Sequence, residues 1–161
     1  MRSGVTRVLF VCTANICRSP MAEAISNALA EEHGVSWEAT SAGVAALVGE
    51  GISPRANTAL EEVGIFLQGH RARQADARML EDADLVLAMT RDHADTLRRI
   101  SPLAAGKVHT LMAFAAGTAE GGDIPDPYGQ PITAHRASVR QLLRHLDAVM
   151  KRMKVAGSTG V

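Results

Sequence analysis

Apolar, strand-like runs alternating with segments of helical periodicity predict one α/β domain. In it a four-stranded parallel sheet is flanked by helices on both faces. Three observations carry this expectation. Val8–Cys12, Val35–Ser41, Ala83–Met89 and Lys107–Met112 read as strands, each followed by a segment of helical character. Proline or glycine punctuates the helix ends. The chain has 161 residues, 47% of them hydrophobic, enough for one core, with no linker or internal repeat to divide it.

The first run enters a tight loop, Cys12-Thr-Ala-Asn-Ile-Cys17-Arg18, and Ser19-Pro20 opens an alanine-rich segment. Pro20 suits a first helical turn, and Ser19 is expected to cap it. Met21 to Glu32 continues the helix and Gly34 stops it. Val35 to Ser41 then pairs with the first strand through a right-handed crossover, with Trp37 in the core rather than at a ligand. Ser41-Ala-Gly43 begins a loop of small residues reaching Ser53-Pro54. Loops at the carboxyl ends of parallel strands border the ligand crevice, so residues 42–53 are expected to form one wall, with Leu47 and Val48 its sizeable apolar side chains. Arg55 to Val63 is a helix closed by Gly64, and Ala75 to Asp82 is a short one. Thr90 caps a helix running to Arg99. Phe114 to Gly122 reads as a flexible surface loop. Pro131 to Val155 is a long amphipathic helix whose apolar stripe belongs to the core, and a small-residue tail from Ala156 is expected to be disordered.

Seventeen Lys plus Arg balance seventeen Asp plus Glu. That balance supplies no broad positive field and disfavours a nucleic-acid partner. No apolar run reaches the roughly 20 residues a membrane span needs, and Met1-Arg-Ser-Gly4 lacks a signal-peptide pattern, so a cytoplasmic protein with no membrane association is expected.

The chemistry concentrates in the first loop. A loop wrapped between a strand end and a helix start turns backbone N–H groups inward, and the helix dipole adds positive potential. Residues Thr13, Ala14, Asn15, Ile16, Cys17 and Arg18 would form this anion cradle. Arg18 offers a planar fork of donors matched to two phosphate oxygens. The same groups are expected to hold Cys12, at the cradle floor, as a thiolate at neutral pH, a nucleophile aimed at phosphorus. A second element is Asp123-Ile-Pro-Asp126-Pro-Tyr128-Gly129, a stiff turn presenting a carboxyl beside a ring.

Cys12, five residues, Arg18 and Ser19-Pro20 closely resemble the signature of low-molecular-weight protein tyrosine phosphatases. The resemblance covers essentially the whole chain: a domain over 1–155, a tail over 156–161, and the strand order 2-1-3-4. It implies a phosphocysteine intermediate, no metal or cofactor, and a phosphorylated protein as partner. It makes Asp126 the general acid and base, with Asp123 the competing carboxylate. It also places Asn15, Ser19, Ser41 and His70, the last from His70-Arg-Ala-Arg-Gln74, in a network that holds the loop rigid. Substrate preference would rest on Ile16, Leu47 and Tyr128. One departure is Ala14, where the family usually has glycine and where a positive φ would be strained.

The two cysteines, Cys12 and Cys17, lack zinc-site spacing. Cys17 either forms a protective disulfide with Cys12 under oxidants, a pairing known in the resembling family, or packs as a small apolar side chain. Segments such as Ser41-Ala-Gly-Val and Ala83-Asp-Leu-Val-Leu-Ala-Met-Thr90 resemble the bacterial branch that includes protein arginine phosphatases. That activity goes with threonine before the second loop cysteine, where this chain has Ile16, so phosphotyrosine is the leading substrate and phosphoarginine the alternative. An arsenate reductase would need further cysteines after Cys17, and there are none. A non-catalytic phosphate-binding module would have no use for Asp126. Nothing in the sequence fixes an oligomeric state; a monomer is the default expectation.

Overall fold

The computed structural model describes residues 4–119 and 121–159, with side chains to Ala156. The elements run β1 (Thr6–Cys12), α1 (Arg18–His33), β2 (Trp37–Gly43), α2 (Pro54–Glu62), α3 (Ala77–Asp82), β3 (Leu85–Ala88) and α4 (Arg91–Ile100). A 3-10 turn (Pro102–Lys107), β4 (Val108–Thr110), α5 (Leu111–Ala116) and α6 (Ile132–Thr159) follow. All strand pairs are parallel and the order is β2-β1-β3-β4, as expected.

Strand alternation sorts the core into two layers. Val8, Phe10 and Cys12 face α1, α2 and α6, packing with Ile25, Leu60, Leu142 and Leu146. Leu9 and Val11 face the opposite way, onto Leu80 of α3 and Leu97 of α4. Both faces of β1 are therefore dry, which is why its sequence is a continuous apolar run. Trp37 lies in the core as expected, its ring tilted against Phe10 and its Nε1–H donating to Ser26 Oγ at 3.0 Å. Ser53, Asp76 and Thr90 each accept a backbone N–H at the start of α2, α3 and α4.

Four expectations are corrected. Ser19 does not cap α1: the helix already starts at Arg18, its cap residue Cys17 makes no side-chain capping bond, and the Ser19 hydroxyl is drawn into the loop behind it. The last strand is short, because Thr110 caps a new helix by accepting from Ala113 N–H. Consequently Leu111 to Ala116 is helical, not strand or flexible loop. Gly117, at φ 72°, closes that helix, and Arg152 donates to Phe114 O while lying over its ring. Residue 120 of that stretch lies outside the described residues. The last helix continues past Val155 to Thr159, where a disordered tail from Ala156 was expected; alanine is a strong helix former and does not end it. Residues 160 and 161, and Met1–Ser3 with the leader reading placed on them, also lie outside.

Candidate active site

The loop between β1 and α1 gets its shape from where its carbonyls go. Cys12 O accepts from Val44 N–H, Thr13 O from Ala45 N–H, Ala14 O from Leu47 N–H and Ile16 O from Ser53 N–H, all at 2.8–3.1 Å. Asn15 O accepts from His70 Nε2–H at 2.7 Å, and Cys17 O from Met21 N–H at 3.0 Å. Six successive carbonyls are thus held on the outside. In a planar trans peptide the N–H points opposite to the carbonyl, so the amides that follow turn to the inside of the loop. Residues 44–53, within the 42–53 stretch expected as a wall of the crevice, hold four of these six carbonyls. Leu47 reaches the cavity, and Val48, 71% exposed, does not line it.

The only non-glycine residue with positive φ among the described residues is Asn15, at 61°. The strain expected at Ala14 therefore falls one position later, on a residue type that tolerates left-handed backbone. The Asn15 side chain is fully buried and every polar atom of it is used. Nδ2 donates to Ser19 Oγ at 2.8 Å and to Ser41 Oγ at 3.0 Å, and Oδ1 accepts from Arg73 N–H at 3.0 Å. The four residues expected to brace the loop, Asn15, Ser19, Ser41 and His70, are therefore together. Two further groups, absent from the sequence reading, complete the brace. Ser41 donates to Glu23 Oε1 at 2.7 Å, and Arg73 Nε donates to Ser41 O at 2.9 Å. Glu23 lies four residues after Ser19 on α1, the spacing that shares a helix face, and that spacing was a usable signal.

Gly43 was also missed. It pairs with Cys12 in the sheet, and a Cβ there would stand 2.4 Å from Thr13 O and 3.1 Å from Asn15 N. A side chain would have to push the loop backbone itself. Gly43→Ala is expected to cost about 1–3 kcal/mol of folding stability, the scale of overpacking, measurable by denaturant unfolding. A neutral substitution would mean that the loop is not held against β2.

A cavity of about 180 Å³ opens over this loop. It is lined by Cys12, Thr13, Ala14, Ile16, Cys17 and Arg18, and across the mouth by Leu47, Asp126 and Tyr128. Of the residues read as phosphate-binding, Asn15 alone does not line it. Cys12 Sγ is 3.0 Å from Ser19 Oγ. Asn15 already donates to that oxygen, so the Ser19 hydroxyl has one proton to place, with two acceptors on offer: Ala42 O at 3.3 Å and the Cys12 sulfur at 3.0 Å. Cys17 Sγ is 3.2 Å from Ser53 Oγ, and burial pushes its thiol up to about 11, against the lowering effect of the Ser53 hydrogen bond. Cys17 is therefore a neutral thiol at pH 7.

Arg18 is 5% exposed. Nη1 donates to Ile124 O at 3.1 Å, Nη2 sits 3.5 Å from Asp126 Oδ2 and donates weakly to Thr13 Oγ1 at 3.4 Å, and Nε has no partner among the described residues. A buried donor without a protein partner suits an arginine whose acceptor arrives with the substrate. Ile124, fully buried and anchored by its N–H to Met89 O, fixes the loop that carries Asp126. Asp126 Oδ1 accepts from Tyr128 N–H at 3.0 Å, closing the turn and leaving Oδ2 toward Arg18. The competing carboxylate is accounted for differently: Asp123 Oδ1 accepts from Arg91 N–H at 2.9 Å at the start of α4, and Asp123 does not line the cavity.

A parallel sheet whose first strand ends on a cysteine, an amide-lined loop closed by an arginine at the start of the next helix, and a carboxyl across the mouth define the class of cysteine-loop phosphatases. Comparison with known proteins narrows the class. The family model for low molecular weight phosphotyrosine protein phosphatase matches residues 7–158. A protein-arginine-phosphatase of Geobacillus stearothermophilus is 40% identical over 148 residues, 92% of this chain and 96% of that protein. A low molecular weight protein-tyrosine-phosphatase of Streptomyces coelicolor is 44% identical over 128 residues, 76% and 77% respectively. The crystal structure of a low molecular weight protein tyrosine phosphatase from T. tengcongensis superposes with a TM-score of 0.85 at 41% identity, covering 91% of this chain and 99% of that one. The chain belongs to the low molecular weight phosphotyrosine protein phosphatase family, whose substrates are phosphoproteins. No helix among the described residues is long and apolar enough to cross a membrane.

Proposed function

We propose that the protein hydrolyses phosphotyrosine in proteins through a phosphocysteine on Cys12. The observation that supports this most directly is the outward tethering of six successive carbonyls around a cysteine and an arginine, which preorganises inward amides for an oxyanion. In the first step the Cys12 thiolate attacks phosphorus, the S–P bond forms, the P–O bond to the aryl group breaks, and Asp126 gives its proton to the departing oxygen. In the second, Asp126 as carboxylate takes a proton from water, the water oxygen attacks phosphorus, and the S–P bond breaks. The amides and Arg18 hold the equatorial oxygens in both steps, and the Ser19 hydroxyl stabilises the sulfur anion. The nucleophile, the positive charge and the proton donor are all side chains or amides of this chain, so the reaction as written calls on no metal or cofactor.

Ile16, Leu47 and Tyr128 supply the apolar lining of the mouth and are assigned the aryl ring of the substrate. The similarity to a protein-arginine-phosphatase keeps phosphoarginine as the second reading. Ile16 is 6% exposed and lines the cavity, so its methyls occupy space in which a threonine hydroxyl would help position water or a guanidinium. Assays with an aryl phosphate, phosphoarginine, and arsenate plus thioredoxin separate the candidate activities. Ile16→Thr is expected to raise phosphoarginine turnover relative to phosphotyrosine, and an unchanged ratio would remove Ile16 from that role.

Cys17 fits a protective role: a sulfenic acid formed on Cys12 by a peroxide would condense with the neutral Cys17 thiol, giving a disulfide and water. A cytoplasmic monomer is the setting assigned to this chemistry, which needs reduced sulfur.

A further inference from the structure

We propose that His93 is a positioning residue for Arg18, acting through the hydroxyl of Thr13. This inference rests on the phosphatase reading above and adds to it a group from a different part of the chain.

His93 sits in the first turn of α4, just after β3, and its side chain points back under the phosphate loop. It is 6% exposed, and Nε2 lies 2.8 Å from Thr13 Oγ1. Nδ1 is buried without a partner among the described residues. An unpartnered buried nitrogen is a cost that packing alone does not explain, and the bond to Thr13 is the one hydrogen bond the ring makes among the described residues. Thr13 Oγ1 in turn accepts from Arg18 Nη2 at 3.4 Å. Arginine has donors only, so in that pair the threonine oxygen is the acceptor whichever ring nitrogen of His93 carries the proton.

The geometry matters because Arg18 has few other anchors. Its Nη1 is fixed to Ile124 O. Its Nη2 has two acceptors on offer, Asp126 Oδ2 at 3.5 Å and Thr13 Oγ1 at 3.4 Å. Asp126 is mobile in charge by design, since it must lose and regain a proton during turnover. Thr13 is a neutral acceptor that does not change. With the hydroxyl pinned by the imidazole, the guanidinium plane stays fixed while Asp126 changes charge.

The ring is suited to this only as a neutral group. Burial is the largest influence lowering its pKa, and the nearby Arg18 guanidinium adds to it; together they outweigh Asp123, Asp92 and Asp126 and bring it to about 4. The amino end of α4 also disfavours an imidazolium there.

The test uses the full-length protein and two readouts: inorganic phosphate binding by calorimetry, and kcat and KM on an aryl phosphate. Thr13→Val removes the hydroxyl at a solvent-facing position, Thr13→Ser retains it, and His93→Leu removes the ring. Thr13→Val is expected to weaken phosphate binding and lower kcat/KM by about tenfold, the loss of one hydrogen bond to a charged group. Thr13→Ser should stay within about threefold of the native protein. His93→Leu should match Thr13→Val, and the double variant should be no worse than either single one, because one chain of contacts is being cut twice. Additive losses would overturn the proposal, and so, even if His93→Leu fails to fold, would Thr13→Val binding phosphate as the native protein does. Failure of the native protein to bind phosphate would instead overturn the phosphatase reading itself.

Discussion

Cys12→Ser should lower aryl phosphate hydrolysis by roughly 10⁴-fold or more, the scale on which removal of an enzyme nucleophile is felt. The substitution is nearly isosteric and leaves the loop amides, Arg18 and Asp126 in place, so the change tests the sulfur alone. A cradle of amides can hold a thiolate, whose charge is diffuse and whose parent thiol is a far stronger acid than an alcohol. It cannot ionise a serine hydroxyl, whose proton is bound far more tightly. Inorganic phosphate binding should survive within a few-fold, because the cradle that binds the dianion is built from backbone. Hydrolysis within tenfold of the native rate would show that Cys12 does not carry the phosphoryl group. Loss of hydrolysis together with phosphate binding would show a collapsed loop, and Gly43, packed against Thr13 O, would be the place to look for its cause.

The sheet order and the loop were accessible from sequence for different reasons. Cys12 to Pro20 announces itself because strand, loop and helix are contiguous, so residue types and spacing together determine the local geometry. Ser41 and His70, 26 and 55 residues from Asn15, were reached through family resemblance and not through periodicity. His93 is 80 residues from Thr13. As the third residue after a helix-capping threonine it looks like ordinary helix-opening sequence, and only its place at the carboxyl end of β3 connects it to the crevice. Gly43 is similar: its role is to lack a Cβ beside a backbone that arrives from another strand, and nothing in Ser41-Ala-Gly43 reports that neighbour. The misread secondary structure has a local cause. Val108-His-Thr-Leu-Met112 holds only three apolar residues around a polar pair, too few to tell helix from strand by spacing. A three-residue strand feeding a six-residue helix gives neither period long enough to be counted.

Asp126→Asn is expected to lower turnover of an aryl phosphate by roughly 10²- to 10⁴-fold, the usual range for a positioned general acid. Asparagine keeps an oxygen that accepts from Tyr128 N–H, so the turn should persist and the lost proton is what is measured. The size of the loss should depend on the leaving group. A phenol that departs readily as its anion needs little protonation, so p-nitrophenyl phosphate should suffer less than phenyl phosphate or a phosphotyrosyl peptide. Asp123→Asn provides the control. Its carboxylate is engaged with Arg91 N–H at the start of α4 and lies outside the cavity lining, so its removal should leave the leaving-group dependence flat and change turnover by less than about tenfold. Reversal of the two phenotypes would move the proton transfer to Asp123 and require the 123–129 segment to rearrange when substrate binds. A uniform loss across leaving groups in Asp126→Asn would assign that carboxylate to Arg18, 3.5 Å away, as a purely electrostatic partner and would leave the acid elsewhere.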